Sequence, residues 1–436
     1  MHLIVPTGRP LSGALTVPGD KSLGHRALLY GALRSGTTRV AGLGGGADVA
    51  ATANALRAFG VQLATTDGTV LVEGAGFAGL DTSGARIDCG NSGTSMRLLA
   101  GLLAGRPGPV VLDGDASLRQ RPMERVAKPL RRLGAQVVTT DGHAPVTVAG
   151  GHLTGRAFRL EVASAQVKSA LLLAGLQAEG RTTVTEPGPS RDHTERALLG
   201  LGLPVGRDGL SVWVDGPVDH LGSGPLAVTV PGDPSSAAFL LGAALVVPGS
   251  DVRVDGLCLN PGRIGAFELW RAMGADLQWQ VEGEDELGEP VGWASARHST
   301  LGAGRLAGEA LVRAVDEVPI LAATVAAAGA RLEVADAEEL RVKESDRLAT
   351  MSAGLRALGA KVDEYPGGIM VDGGGRLRGA HVDAAGDHRV AMSLFVAALA
   401  GQGETVVDGW DGVATSYPEF LGDLARLGLD TEEVPA

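Results

Sequence analysis

The sequence predicts an α/β protein of two similar domains, each built from three repeated units. Three observations carry that prediction. A helix-like stretch closing on L-x-x-Φ-G-Φ (Φ apolar, Trp opening the fourth copy) recurs six times, at 56–60, 130–134, 198–202, 270–274, 355–359 and 424–428. Hairpin dipeptides follow the first three copies, and the tetrapeptide VPGD occurs at 17–20 and again at 230–233.

A glycine just past the last helical turn is the usual left-handed cap, so each copy marks a helix end followed by a strand. Asp67-Gly68, Asp141-Gly142 and Asp208-Gly209 then sit between strand-like runs, as two-residue hairpins require. The fifth copy uses Pro366-Gly367-Gly368, and the fourth has a longer acidic connection, 282–290, which reads as a surface loop. The sixth stops at Leu429 before a charged tail, with no hairpin strands after it. LIVPTG and GALTVPG at the start of the chain read as strands with no helix before them, so the N-terminus is expected to complete the last unit. Period and punctuation agree along the chain. The two VPGD sequences enclose three units and leave three outside. They predict a double hinge joining a domain at 20–230 to one made of 1–19 plus 231–436.

Composition narrows the function. The chain of 436 residues carries a net charge of −12 and no run rich in lysine or arginine, which argues against nucleic acid as a partner. An anionic small molecule would need a local basic pocket. Cys89 and Cys258 are too few for a disulfide framework or a metal cluster and read as small buried hydrophobes. The first residues have no basic stretch followed by a long apolar one, and apolar runs such as 321–328 are too short to span a bilayer. The expectation is a cytoplasmic protein. Only five lysines (Lys21, Lys128, Lys168, Lys343 and Lys361) stand against 33 arginines, so each is a candidate for a place where a compact, titratable ammonium matters, with chance placement the equal alternative.

Seven motifs hold candidate chemistry. PGDKSLGHRAL at 18–28 places Lys21, Ser22 and Arg26 at the start of an apolar helix, where the helix dipole and two cations would attract an anion. DCGNSGTSMRLLAG runs from a strand into a glycine-rich loop, where Asn91, Ser92, Gly93 and Thr94 offer backbone N–H groups. DASLRQRPMERV crowds Arg119, Arg121 and Arg125 into a loop ending at Pro122; two of the three read as solvated and one as a fork for carboxylate or phosphate. ASAQVKSALLLAG opens a helix with Ser164, Ala165 and Gln166, small and amide groups suited to a polyhydroxylated ligand. VDEVPILAATVAA places Asp316 and Glu317 before another apolar helix. ELRVKESDRLATM brings Lys343, Glu344 and Arg347 within five positions; on one helix Lys343 and Arg347 would share a face, and Glu344 would pair with Arg347. DHRVAMSLFVAAL sets Arg389 at a last helix start. Capping and surface salt bridges account for each motif taken singly. Together they repeat charged or phosphate-friendly groups at helix beginnings in both halves.

In this order, PGDKSxxHRAL, GNSGTSMR, RPM, SAQVKSALLLAG, RDHTE, RVKESDRL and DHRVAMS resemble the 5-enolpyruvylshikimate-3-phosphate (EPSP) synthase family, from about residue 10 to residue 425. The resemblance implies two domains of three βαβαββ units each, an inside-out α/β barrel arrangement. It also implies transfer of the enolpyruvyl group of phosphoenolpyruvate to the 5-hydroxyl of shikimate 3-phosphate, with neither cofactor nor metal. Carried over position by position, it gives Lys21, Asp316 and Glu344 the catalytic roles. Lys21, Ser22, Arg26, Ser164, Ala165, Gln166, Arg191, Asp316 and Lys343 would hold shikimate 3-phosphate. Lys21, Asn91, Gly93, Arg121, Gln166, Arg347 and Arg389 would hold phosphoenolpyruvate. A monomer with no membrane or nucleic-acid partner is expected.

The chain departs from the family pattern in places. Gly24 stands where many members have Ser, Glu339 where some have Asn, and Thr415 where some carry a late lysine. SAQ, RPM and RDHTE resemble the branch that holds glyphosate-tolerant members, yet Gly93 lacks the added methyl that favours tolerance, so inhibition by glyphosate is expected. Three rival readings are a sister transferase acting on UDP-N-acetylglucosamine, an NAD(P)-binding oxidoreductase and a catalytically dead anion-binding protein. The first has a cysteine where this chain has Ala116. The second rests on GLGGGA at 42–47, a weak pattern alone. Lys21, Asp316 and Glu344 speak against the third.

Overall fold

In the computed structural model, which describes residues 2–6 and 8–434, six four-stranded sheets repeat one plan. In the second unit the strand Arg86–Asp88 runs parallel to Val110–Asp113. That strand pairs antiparallel with His143–Ala149, whose hairpin partner Gln136–Thr140 forms the edge. Helices Gly93–Leu103 and Glu124–Leu133 connect the strands, giving βαβαββ. The other five sheets follow the same order.

Two compact units hold three sheets each. One comprises Met1–Pro18, Pro231–Gly283 and Pro290–Ala436; the other comprises Gly19–Val230 with Glu284–Glu289. Met1 and residues 435–436, the ends of the expected second domain, lie outside the described residues. In both units the leading strand of one sheet comes from beside a Val-Pro-Gly crossing. Ser12–Thr16 lies parallel to Asp251–Cys258, and Leu226–Thr229 lies parallel to Ser35–Ala41.

Helices fill the interior of each unit and sheets cover it. Pro234–Val246 and His388–Leu399 are buried at every position, and Val318–Ala327 nearly so, because apolar residues ring most of their faces. Lys21–Leu33, Gly93–Leu103 and Ala165–Gly175 are the corresponding helices of the other unit. Five of the seven motifs read from the sequence open these buried helices; DASLRQRPMERV and ELRVKESDRLATM lead instead into the outer helices Glu124–Leu133 and Arg347–Ala357. The outer helices end at the repeated glycine, and Gly60, Gly134, Gly202, Gly274, Gly359 and Gly428 all have positive φ, between 75° and 123°. Asp67-Gly68 and Asp141-Gly142 have positive φ at both residues, the conformation of a type I′ hairpin. Cys89 and Cys258 are buried thiols, as expected.

Two local expectations change. The charged tail does contain a strand, Glu432–Val434, and His2–Val5 pairs antiparallel with both it and Thr405–Asp408. The sixth sheet is therefore completed from both ends of the chain, where the sequence suggested the N-terminus alone, and of the two N-terminal strands only His2–Val5 joins it, Ser12–Thr16 lying beside Asp251–Cys258 instead. The acidic 282–290 connection is only partly the surface loop expected: Glu282, Gly283, Glu284 and Glu286 are exposed, with 282–284 ending the strand Asp276–Glu284, but the rest is half-buried or buried. Its tip packs with the Gly19–Val230 unit, burying Leu287 and Glu289, and His193 Nδ1 lies 2.7 Å from Glu289 Oε1. Acidic composition read as solvent-facing because the histidine partner is 96 positions away.

The same tip yields a pH prediction. Asp285 Oδ1 accepts the N–H groups of Glu289 and Leu287, yet burial outweighs them and pushes its carboxyl up to about 6. A raised acid holds its proton more tightly when folded, so its contribution to stability declines as pH rises from about 4 to about 6 and stays lost above. Asp285→Asn keeps the acceptor oxygen without the charge. It is expected to stabilise the protein by about 1–2 kcal/mol at pH 8, discounted for partial exposure, and by less at pH 5. Thermal melts at the two pH values check this; equal differences at both would count against it.

Candidate active site

In the Gly19–Val230 unit the three buried helices begin at one place, held there by side chains from their own first turns. Asp20 caps the first helix by accepting the Leu23 N–H, and Lys21 Nζ lies 2.8 Å from Asp48. One turn on, Arg26 is buried. Its Nε donates to Thr194 Oγ1 at 2.9 Å, Nη2 to Ser169 Oγ at 2.8 Å and Nη1 to the Ser22 carbonyl at 2.9 Å. The guanidinium thus ties the PGDKS helix to the SAQVKS helix and to the RDHTE segment. His25 is also fully enclosed. Burial drives its pKa down to about 3, so the ring is neutral, and Nδ1 contacts Thr52 Oγ1 at 2.7 Å.

The second and third helices meet through amide and guanidinium groups. Ser92 caps Gly93–Leu103 and Ser164 caps Ala165–Gly175. Gln166 Nε2 donates to Thr94 Oγ1 at 2.9 Å, and Gln166 Oε1 accepts from Arg97 Nη1 at 2.5 Å. Arg121 Nη2 donates to Asn91 Oδ1 at 2.5 Å. A methyl group added at Gly93 would sit 3.0 Å from Arg97 Nη1 and 3.4 Å from Arg121 Nη1, so this glycine faces two guanidinium groups. Of the three arginines in the DASLRQRPMERV loop, Arg119 instead forks onto Asp113 and is half exposed, and Arg125 lies on the helix Glu124–Leu133. Arg119 and Arg125 are exposed, as expected of two of the three, and Arg121 is buried against Asn91. Arg191 precedes the helix His193–Gly200 and is partly buried.

Beneath Ser164 lies a triad that the motif reading did not assign. Lys168 Nζ is 2.7 Å from Glu186 Oε2 and 2.8 Å from Glu195 Oε1, with all three side chains buried. Glu186 Oε1 also accepts the Ser164 N–H, and Oε2 the Ser190 hydroxyl.

The other unit gathers its own set. Asp316 and Glu317 form a 3₁₀ turn leading into Val318–Ala327. Asp316 Oδ1 lies 3.5 Å from Arg347 Nη1 and 3.8 Å from Lys343 Nζ. Arg347 Nη2 donates to Glu344 Oε2 at 2.6 Å, and Nε donates to Asp387 Oδ2 at 2.8 Å. Burial alone would depress the Arg347 guanidinium, but Asp387, Glu344 and Asp316 together hold its pKa above the ordinary value. Burial lowers the Lys343 ammonium, partly opposed by Asp316. Arg389 Nη1 donates to the Asp316 carbonyl at 3.3 Å and is 3.7 Å from Glu317 Oε1. One detail is corrected. Lys343 and Arg347 do not share a helix face, because a 3₁₀ helix ends at Val342 and a new α-helix, capped by Asp346, begins at Arg347. The predicted Glu344–Arg347 pair does form. Glu339 lies in the 3₁₀ helix, and Thr415 ends another.

Asp48, Arg97 and Asp387 were missed by the sequence reading. Arg97 was legible in principle, since it follows Gly93 by one helical turn. Asp48 and Asp387 become partners of Lys21 and Arg347 only in three dimensions.

With this geometry in place, comparison decides the family. The model of EPSP synthase (3-phosphoshikimate 1-carboxyvinyltransferase) matches residues 5–424. The chain belongs to the EPSP synthase family. A 3-phosphoshikimate 1-carboxyvinyltransferase of Synechococcus sp. (strain RCC307) is 49% identical over 96% of this chain and 98% of its own length. One from Halorhodospira halophila is 48% identical over 98% and 96%. Among solved structures, an EPSP synthase of Acinetobacter baumannii aligns with TM-score 0.87 at 41% identity, covering 99% of both chains. The enolpyruvyl transferase NikO of Streptomyces tendae, at 22% identity and TM-score 0.78, shares the fold. Membership makes this chain an enzyme of the shikimate pathway in aromatic amino acid biosynthesis, transferring the enolpyruvyl group to shikimate 3-phosphate. The expected inside-out α/β architecture is that of these neighbours. No helix among the described residues is long and apolar enough to cross a membrane.

Proposed function

We propose that the residues gathered at the buried helix starts carry out the EPSP synthase reaction in the roles the sequence assigns them. The observation behind this is that motifs scattered from Lys21 to Arg389 collect, unit by unit, at those helix beginnings or in contact with them, as Arg121 is with Asn91 and Arg347 with Asp316. Ser22, Arg26, Ser164, Ala165, Gln166, Arg191 and Lys343 hold shikimate 3-phosphate. Asn91, Gly93, Arg121, Arg347 and Arg389 hold phosphoenolpyruvate, with Lys21 and Gln166 touching both substrates. Arg97 joins this set through its bond to Gln166. Guanidinium forks already fixed by protein partners meet phosphate or carboxylate without reorganisation, which is where electrostatic catalysis gains most.

Chemistry then needs two proton movements. The 5-hydroxyl attacks C2 of phosphoenolpyruvate and gives its proton to a base, assigned to Asp316, while C3 receives a proton from Glu344 or Lys21. The resulting tetrahedral adduct loses a C3 proton, the bond from C2 to the phosphate oxygen breaks, and phosphate departs as the enol ether forms. The test is phosphate release. It should require both phosphoenolpyruvate and shikimate 3-phosphate, and UDP-N-acetylglucosamine should not replace the latter. Equal release with either acceptor would overturn the assignment. A cytoplasmic monomer belongs to this proposal, and sedimentation of the purified chain as a single subunit checks the oligomeric part.

Glyphosate is expected to inhibit in competition with phosphoenolpyruvate. Gly93→Ala would press on Arg97 and Arg121 and is expected to raise both the inhibitor concentration needed and the KM for phosphoenolpyruvate. Undiminished wild-type turnover with excess glyphosate at low phosphoenolpyruvate would refute this.

A further inference from the structure

The sheet that joins the two ends of the chain carries a cluster the enzymatic reaction does not use. Leu3, Val5, Val407 and Val382 point into the core. Strand alternation therefore turns His2, Asp408 and His381 to the opposite face. His2 lies directly across from Asp408 in the antiparallel pair, and His381 comes from the parallel strand on the other side. The Asp408 carboxylate is thus flanked by two imidazoles, with Oδ1 against His2 Nδ1 and Oδ2 against His381 Nε2. The imidazole rings are 6.1 Å apart and nearly perpendicular.

We propose that His2, His381 and Asp408 form a binding site for a late first-row divalent cation, with zinc the best fit. The three ligand atoms lie within 4.8 Å of one another. Ligands of a tetrahedral zinc with bonds of about 2.0–2.1 Å stand roughly 3.4 Å apart, so small side-chain rotations bring them to bonding distance. Two imidazole nitrogens and one carboxylate oxygen are a borderline donor set, which selects zinc, nickel or copper over magnesium and calcium. The side chains keep 41%, 62% and 27% of their surface exposed in the order His2, His381, Asp408, so an ion and its remaining water ligands have access. The competing arrangement is a plain hydrogen-bonded row in which both imidazoles share one carboxylate. Each ligand comes from a different strand, and His2 stands 379 positions before His381. No local spacing such as H-x₃-H announces the site. A bound ion would fasten the first strand of the chain to the strands beside it, adding stability by mass action.

The experiment is calorimetric titration of metal-free protein carrying no histidine tag. Zinc should bind wild type with one saturable equivalent, and magnesium should not. Saturating zinc should raise the melting temperature by about 2 °C or more. His381→Ala, on an exposed edge strand, should abolish the equivalent and the thermal shift while leaving turnover of shikimate 3-phosphate unchanged. His2→Gln should do the same. Absence of a stoichiometric zinc step in wild type, or an unaltered step in His381→Ala, would overturn the proposal.

Discussion

Glu344→Gln is expected to lower kcat by about 10²–10⁴-fold while changing the KM of either substrate little, and Asp316→Asn should do likewise. Both carboxylates lie against Arg347, Glu344 at 2.6 Å and Asp316 at 3.5 Å. The neutral amides keep the shape and an oxygen that can accept the Arg347 hydrogen bond. They lose the ability to carry a proton, so binding survives while proton transfer fails. A merely structural carboxylate would behave differently, because its loss would disturb the Arg347 guanidinium and raise the KM for phosphoenolpyruvate. The double variant should be little slower than the slower single variant, since residues that act in one sequence of proton transfers are strongly non-additive. Single-turnover measurement with limiting shikimate 3-phosphate separates chemistry from product release. A kcat within threefold of wild type for Glu344→Gln would remove it from the proposed mechanism.

Repeats and motifs made much of this protein legible, for a physical reason. Each unit must end its outer helix and start a hairpin, and only glycine meets the positive φ there without penalty, so Gly60 through Gly428 recur at readable positions. Groups suited to anions at helix beginnings are equally local, because the dipole and the N–H groups of the first turn belong to one short segment. What stayed hidden depends on distant partners. Nothing beside Asp387 foretells that it holds Arg347, and nothing in the 282–290 stretch shows that Glu289 will meet His193. The tail strand Glu432–Val434 was missed because its pairing partner, His2–Val5, stands at the other end of the chain. Lys343 and Arg347 illustrate the opposite error. Their spacing fits a helix face, but Asp346 caps a new helix between them.

Lys168→Met should cost the Gly19–Val230 unit about 3–5 kcal/mol and raise the KM for shikimate 3-phosphate more than that for phosphoenolpyruvate. Methionine fills nearly the same volume but removes the ammonium that lies between Glu186 and Glu195. Two buried carboxylates would then face one another without a cation, the situation in which breaking a buried pair is most destabilising. The catalytic consequence follows from what the glutamates hold. Glu186 fixes the Ser164 N–H at the start of its helix, and Glu195 adjoins Thr194, which with Ser169 orients Arg26. Ser164 and Arg26 are both assigned to shikimate 3-phosphate, whereas Asn91 and Arg121 stand on separate partners, Asp115 and Ser117. Lys168 is thus expected to act as a positioning residue rather than a catalytic one, and kcat at saturation should fall less than kcat/KM for the acceptor. Lys168→Met/Glu195→Gln removes one of the uncompensated charges and should recover part of the lost stability. A double variant no more stable than Lys168→Met, or single-variant KM values that rise equally for both substrates, would show that the triad supports the fold without ordering the acceptor subsite.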